Sequence, residues 1–279
     1  MSLIWINGTL VDKADARVSP FDHGFLYGDG VWEPFRIFRG HLFRLTEHLT
    51  QLFEAAAELG IDIPLTREGL TAAIEATVQA NHRIEGYGRV IVTRGPGTIG
   101  PDPRKLDPQV FITAEDYQPF PLELYGHGLH VVTAPVRLQV DHPARNRRTL
   151  NQLHVVLAKQ HALKNGCLEA VLLATDGLVA GCTEGQLALI GGGKVRCPGG
   201  GDPVDGGLAA ELAREEGLPV VGDPVTVDDL LAAQEVFLIG TSCGVIGIVR
   251  MDGKDIGPGT EGRFTRAIRE RYRVLTRGE

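Results

Sequence analysis

Between Ala114 and Leu122 the sequence reads AEDYQPFPL, and its two prolines interrupt a chain that otherwise alternates strand-like and helix-like segments. Proline fixes φ and removes a backbone donor, so a connector of this kind continues neither a helix nor the interior of a sheet. The break sets the expected organisation: a small N-terminal α/β domain over residues 1–115, a linker over 116–122 and a larger C-terminal domain over 123–279. A length of 279 residues suits two modest domains or one large one, and 43% hydrophobic content is enough to bury a substantial core.

Before the connector, Asn7-Gly8 separates Leu3–Ile6 from Leu10-Val11 and has the signature of a two-residue hairpin turn. Val31 to Ile37 and His41 to Leu45 predict a second hairpin around Arg39-Gly40. Leu49, Leu52, Phe53, Ala56 and Leu59 recur on one helical face, with Thr46 the expected N-cap and Gly60 the stop. Thr66 is the expected cap of a second helix running to about Asn81, and strands at Arg89–Thr93 and Val110–Thr113 complete an α+β pattern.

After the connector, strands are predicted at 130–136, 170–173 and 187–190, with helices at 151–164, 207–216, 226–233 and 262–272. The glycine-rich GGGKVRCPGGGD of residues 191–202 has no Ser or Thr after Lys194 and so fails the P-loop pattern; it reads as a turn followed by a loop. A net charge of -7 argues against nucleic acid or an anionic membrane as partner. Cys167, Cys182, Cys197 and Cys243 are scattered without a C-x-x-C pair, which suits reduced thiols in a cytoplasmic protein. The N-terminus lacks the apolar run of a signal peptide, and no segment approaches the length of a membrane helix.

Several separated blocks carry a family resemblance. WINGTLVDKADARVSPFDHGFLYGDGVWEPFRIFRGHLFRLTEHLTQL at the start, Thr149-Leu150-Asn151 with Ala158-Lys159, Glu169-Ala170 and Asp176-Gly177 in the middle, and EVFLIGTSCGV near the end keep one order and spacing. The chain resembles the class IV aminotransferases, the fold-type IV group of pyridoxal phosphate (PLP) enzymes that includes branched-chain aminotransferases, D-amino acid transaminases and aminodeoxychorismate lyases. The resemblance implies a two-domain α/β (α+β) fold, the larger domain having a barrel-like β core, with the site at the domain boundary in a homodimer.

It also implies a set of departures. The family's imine-forming lysine falls on Arg148, its phosphate-gripping arginine on Gln51, the tyrosine bonding the ring oxygen on Gln152, and the glutamate at the pyridine nitrogen on Gly181. Val204 and Asp205 fall on the phosphate-binding turn, where a carboxylate repels a phosphate dianion; Thr241 alone remains as the family has it. An arginine side chain keeps its proton at physiological pH and can neither form the imine nor act as a ready base. The losses touch aldehyde, ring oxygen, ring nitrogen and phosphate, so the sequence predicts a protein with no PLP bound in the usual way.

Lys159, Lys164 and Lys194 read as solvated surface lysines rather than substitutes. Arg148, Arg94 and Arg36 could form a cationic cleft for a carboxylate or phosphate; alternatively Arg148 pairs with an acid such as Asp205. Tyr27 and Trp32 lie in the block that lines the family pocket, although a core aromatic with a satisfied hydroxyl is the commoner role for a tyrosine such as Tyr27. His23, His142, His154 and His161 lack metal-ligand spacing and are expected at a surface or interface. Three functional classes stay open: a repurposed protein binding or converting a small acidic metabolite, a working PLP aminotransferase or lyase with an atypical site, and a non-catalytic partner of an active relative.

Overall fold

The computed structural model describes residues 2–104, 106–140, 147–198 and 203–277. The chain divides into two compact units: Met1–Tyr117 with Arg147–Gln152, and Gln118–Asn146 with Leu153–Glu279. In the first unit the elements run β1 (Leu3–Ile6), β2 (Thr9–Asp12), α1 (His23–Tyr27), β3 (Gly30–Phe38), β4 (His41–Phe43), α2 (Leu45–Glu58), α3 (Arg67–Ala80), β5 (Gly86–Thr93) and β6 (Gln109–Glu115). The strands form one sheet in the order β2-β1-β6-β5-β3-β4.

The expected hairpins are present. Asn7 (φ 47°) and Gly8 (φ 98°) make the first turn, the backbone region that asparagine and glycine tolerate best. Val110, Ile112 and Ala114 alternate inward along β6, the period of a strand with one buried face. They meet Leu49 and Leu52 of α2 and Leu70 and Ile74 of α3 in one core, so both helices cover the same sheet face. Thr66 caps α3 as predicted, its hydroxyl accepting from the Gly69 N–H at 3.1 Å. Thr46 does not cap α2. Arg44, at φ 49°, holds the N-cap position without a side-chain bond, and the helix starts two residues early, with Leu45 drawn into the core.

Residues 147–152 sit among second-unit segments in sequence yet belong to the first unit. Trp32 N–H donates to the Arg148 carbonyl at 2.9 Å and Leu150 N–H to the Gly30 carbonyl at 3.0 Å, with Val31 bridged to Thr149. The segment therefore covers the part of the β3 edge that β4 leaves open.

The second unit contains α4 (Leu124–His127), β7 (Leu129–Leu138), α5 (Leu153–Lys164), β8 (Glu169–Ala174), β9 (Val179–Cys182), β10 (Gln186–Gly191), β11 (Lys194–Arg196), α6 (Pro203–Glu215), β12 (Val220–Val221), α7 (Val227–Leu231), β13 (Glu235–Gly240), β14 (Gly244–Met251), β15 (Lys254–Asp255) and α8 (Arg263–Arg277). Its sheet runs β12-β11-β10-β13-β14-β7-β8-β9, with β15 beside β14. Five strand spacings of about 4.8 Å would place β9 roughly 24 Å from β10 in a flat sheet. The chain passes from Cys182 to Gln186 in four Cα steps, at most about 14 Å, so the sheet must curl. That is the barrel-like core the resemblance implies.

Three expectations change here. Lys194–Arg196 is a strand rather than loop, because Val195 is buried between Ile190 and Val220; residues 199–202 of the glycine-rich stretch lie outside the described residues. β14 escaped the sequence reading because a strand flanked on both sides, between β13 and β7, is a near-continuous apolar run without alternation. α6 begins at Pro203 instead of Gly207, proline being well suited to a first helical turn and Asp205 to its positive end.

Candidate functional site

In the first unit the residue at the centre is Arg148. Its Nε lies 3.5 Å from Glu33 Oε1, and its guanidinium carbon 5.2 Å from the centre of the Trp32 ring. Glu33 is buried and bonded to buried His48, Nδ1 to Oε1 at 2.8 Å. A chain His48–Glu33–Arg148 thus runs from the core to the sheet edge. Trp32 is anchored by its indole N–H, which donates to the Thr149 carbonyl at 3.1 Å. Gln51 is engaged by the neighbouring arginine: Arg147 Nη1 donates to Gln51 Oε1 at 2.9 Å and Arg147 Nε to Glu58 Oε2 at 2.9 Å. The Arg147 guanidinium beside it holds the Glu58 carboxyl below the usual range. Gln152 turns back on its own segment, Nε2 to the Thr149 carbonyl at 2.8 Å, which is why α5 starts at Leu153 and not at Asn151.

Arg94 is not a ligand group. Its Nε and Nη2 bond Asp29 at 2.5 and 3.0 Å, Nη1 the Gly60 carbonyl at 2.9 Å and Nη2 the Leu59 carbonyl at 2.7 Å. Four of its five N–H groups are committed to tying Asp29 to the end of α2. Arg36 stands four residues from Trp32, about 13 Å along β3, and donates to the Tyr117 carbonyl at 3.2 Å. Tyr27 is exposed, not a core aromatic, with its ring edge-on to His23 at 5.1 Å. One residue that the sequence reading passed over belongs here: Arg89 lies 4.3 Å over the Trp32 ring. Its position opposite Pro34 in the β3–β5 register was the only signal, and that needs the pairing to be known.

The second unit holds the remaining candidates. Asp205 and Val204 are both buried in the first turn of α6, and Thr241 Oγ1 donates to Asp205 Oδ1 at 2.9 Å. Gly181 is buried on β9 at φ 147°, a backbone state that strains any L side chain. Lys159 differs from expectation: its side chain is only 28% exposed, Nζ lies 3.2 Å from Glu184 Oε1, and it stands over the buried Phe120 ring at 5.4 Å. Ser242 donates to the other Glu184 oxygen at 3.3 Å. Glu169, wholly buried, accepts from the Ala170, Thr183 and Glu184 amides and so fixes the β9–β10 crossing; burial raises its carboxyl above the usual range against those bonds. Burial first, then Asp205 and Glu184, raises the Cys243 thiol well above its ordinary value, leaving it without thiolate character.

His23 is buried, not surface, with Nε2 3.0 Å from the Thr98 carbonyl; His161 Nε2 is 3.4 Å from Asn165 Nδ2, and His142 lies outside the described residues. Among the described residues no three His, Cys, Asp or Glu side chains gather as a metal set, and no helix is long and apolar enough to cross a membrane.

The family model described as Amino-transferase class IV matches residues 30–251. A putative branched-chain-amino-acid aminotransferase of Methanocaldococcus jannaschii is 38% identical over 278 residues, 98% of this chain and 96% of the relative. A D-alanine aminotransferase of Bacillus licheniformis is 31% identical over 95% of this chain and 94% of its own length. The solved structure of the branched-chain aminotransferase from Thermoproteus uzoniensis with norvaline superimposes with a TM-score of 0.90 at 26% identity, covering 99% of this chain and 95% of that one. The chain belongs to the class IV aminotransferase family.

Proposed function

We propose that this family member does not hold PLP as an imine, and that it binds or converts a small acidic metabolite through guanidinium groups. The observation that carries the reading is the bond from Thr241 to buried Asp205: a hydroxyl of the kind that would serve a phosphate is donated to a carboxylate. Each unit supports it separately. In the first, an arginine stands at 148 beside Glu33, and Gln51 and Gln152 are engaged by Arg147 and Thr149. In the second, Gly181 carries no carboxylate, at a backbone angle that disfavours one. These residues do not fit PLP. No described lysine substitutes readily: Lys159 is paired with Glu184, Lys13 is an exposed partner of Glu115, Lys194 is a half-buried partner of Asp223, and Lys164 and Lys254 are exposed.

Arg148 and Arg89, both within cation–π distance of Trp32, are the groups we assign to the acid. The test is a pair of titrations of the purified protein. Added PLP is expected to give no absorption band that borohydride fixes to a lysine, and a carboxylate is expected to alter Trp32 fluorescence. A borohydride-stable band on a lysine would make the protein a working transaminase or lyase of the family and end the proposal.

We further propose a homodimer. Leu153, Val156, Leu157 and Leu163 expose an apolar stripe along α5, a larger patch than isolated surface residues present. Light scattering should return about twice the 30.1 kDa chain mass; a value at the chain mass itself would refute this.

A further inference from the structure

Resting on the acid-binding reading, we infer that the metabolite is a planar aromatic acid, an aryl carboxylate whose ring stacks against Arg89. In the β3–β5 register Trp32 lies opposite Ile91, Pro34 opposite Arg89 and Arg36 opposite Tyr87, so Trp32, Arg36, Arg89 and Tyr87 share one sheet face. The other face is filled by Phe35, Ile37, Val90 and Val92 against the helices.

On the first face, guanidiniums and rings alternate. Arg148 lies 5.2 Å and Arg89 4.3 Å from the Trp32 ring centre, and Arg89 lies 5.6 Å from that of Tyr87. Tyr87 and Tyr117 are 5.1 Å apart at 39°, and Arg36 stands 5.5 Å over Phe38. Arg89 uses Nε on the Tyr87 hydroxyl at 3.2 Å, and its two terminal nitrogens make no hydrogen bond or ion pair among the described residues. The exposed, planar guanidinium thus stands over the indole with the Tyr87 hydroxyl as its one hydrogen-bond partner among the described residues. Such a surface distinguishes acids by shape as well as charge. Any carboxylate can accept from Arg148 or Arg89, but only a flat π-system also stacks on the guanidinium and phenol planes.

Benzoate and cyclohexanecarboxylate carry the same charge at similar size and differ in planarity, so they separate the two contributions. Calorimetric titration of the wild-type protein should find benzoate about tenfold tighter, which corresponds to about 1.4 kcal/mol. A Trp5→Phe variant leaves Trp32 as the only tryptophan and should report benzoate by a change in its emission. Arg89→Lys keeps the charge and loses the plane; it should weaken benzoate more than cyclohexanecarboxylate and so reduce the preference to less than about twofold. Equal affinities for the two acids in the wild-type protein would overturn the aromatic assignment and leave acid binding standing. Failure of both acids to bind would overturn the two together.

Discussion

An Arg148→Lys variant mixed with PLP is expected to develop a visible absorption band that borohydride reduces and peptide mass spectrometry places at residue 148, where wild type develops none. The change is from no covalent capture to capture of the aldehyde, because the substitution exchanges a guanidinium that keeps its proton for an amine able to lose one. Asp205 is buried with Thr241 donating to it, and two like charges about 4 Å apart repel by roughly 4 kcal/mol at an effective dielectric near 20. Asp205→Asn keeps the shape and an acceptor for Thr241, so it should tighten inorganic phosphate by about 10³-fold, measured by equilibrium dialysis. An unreactive Arg148→Lys protein would show that position 148 does not face the aldehyde, removing the correspondence on which the reading starts.

The largest loss of stability is expected from Arg94→Ala. It would strip both oxygens of Asp29 and the Leu59 and Gly60 carbonyls of their shared partner, a buried cation bridging three segments. Removing one member of such a set leaves the others desolvated, at a cost of about 3 kcal/mol. Urea denaturation should show the unfolding free energy falling by that amount, while the folded fraction keeps its affinity for carboxylates. Unchanged stability with weakened acid binding would return Arg94 to the ligand groups.

Local patterns in the sequence carried much of this architecture. Asn7-Gly8, Thr66 and the α2 stripe each state a turn, a cap or a buried face within a few residues, and all three formed as read. What escaped depended on partners far along the chain. β14 is apolar on both faces because β13 and β7 flank it, and β11 exists because Val220 waits beside Val195. The candidate site divides along the same line. Arg148 and Asp205 could be singled out by resemblance, but that Gln51 is taken by Arg147, that Arg94 is committed to Asp29, and that Arg89 covers Trp32 are facts of three-dimensional packing. Lys159 shows the same limit, since helical position alone gave no sign of Glu184.

The placement of residues 147–152 has a consequence for how this chain can be dissected or inherited. A fragment ending at Tyr117 would present the β3 edge bare from Gly30 to about Trp32, an open invitation to pair with a neighbouring molecule. A fragment starting at Gln118 would carry the same six residues with nothing to lie against. Neither unit is a contiguous gene segment, so recombination at the proline connector would break both products, and the two halves are bound to be exchanged, duplicated or lost as one.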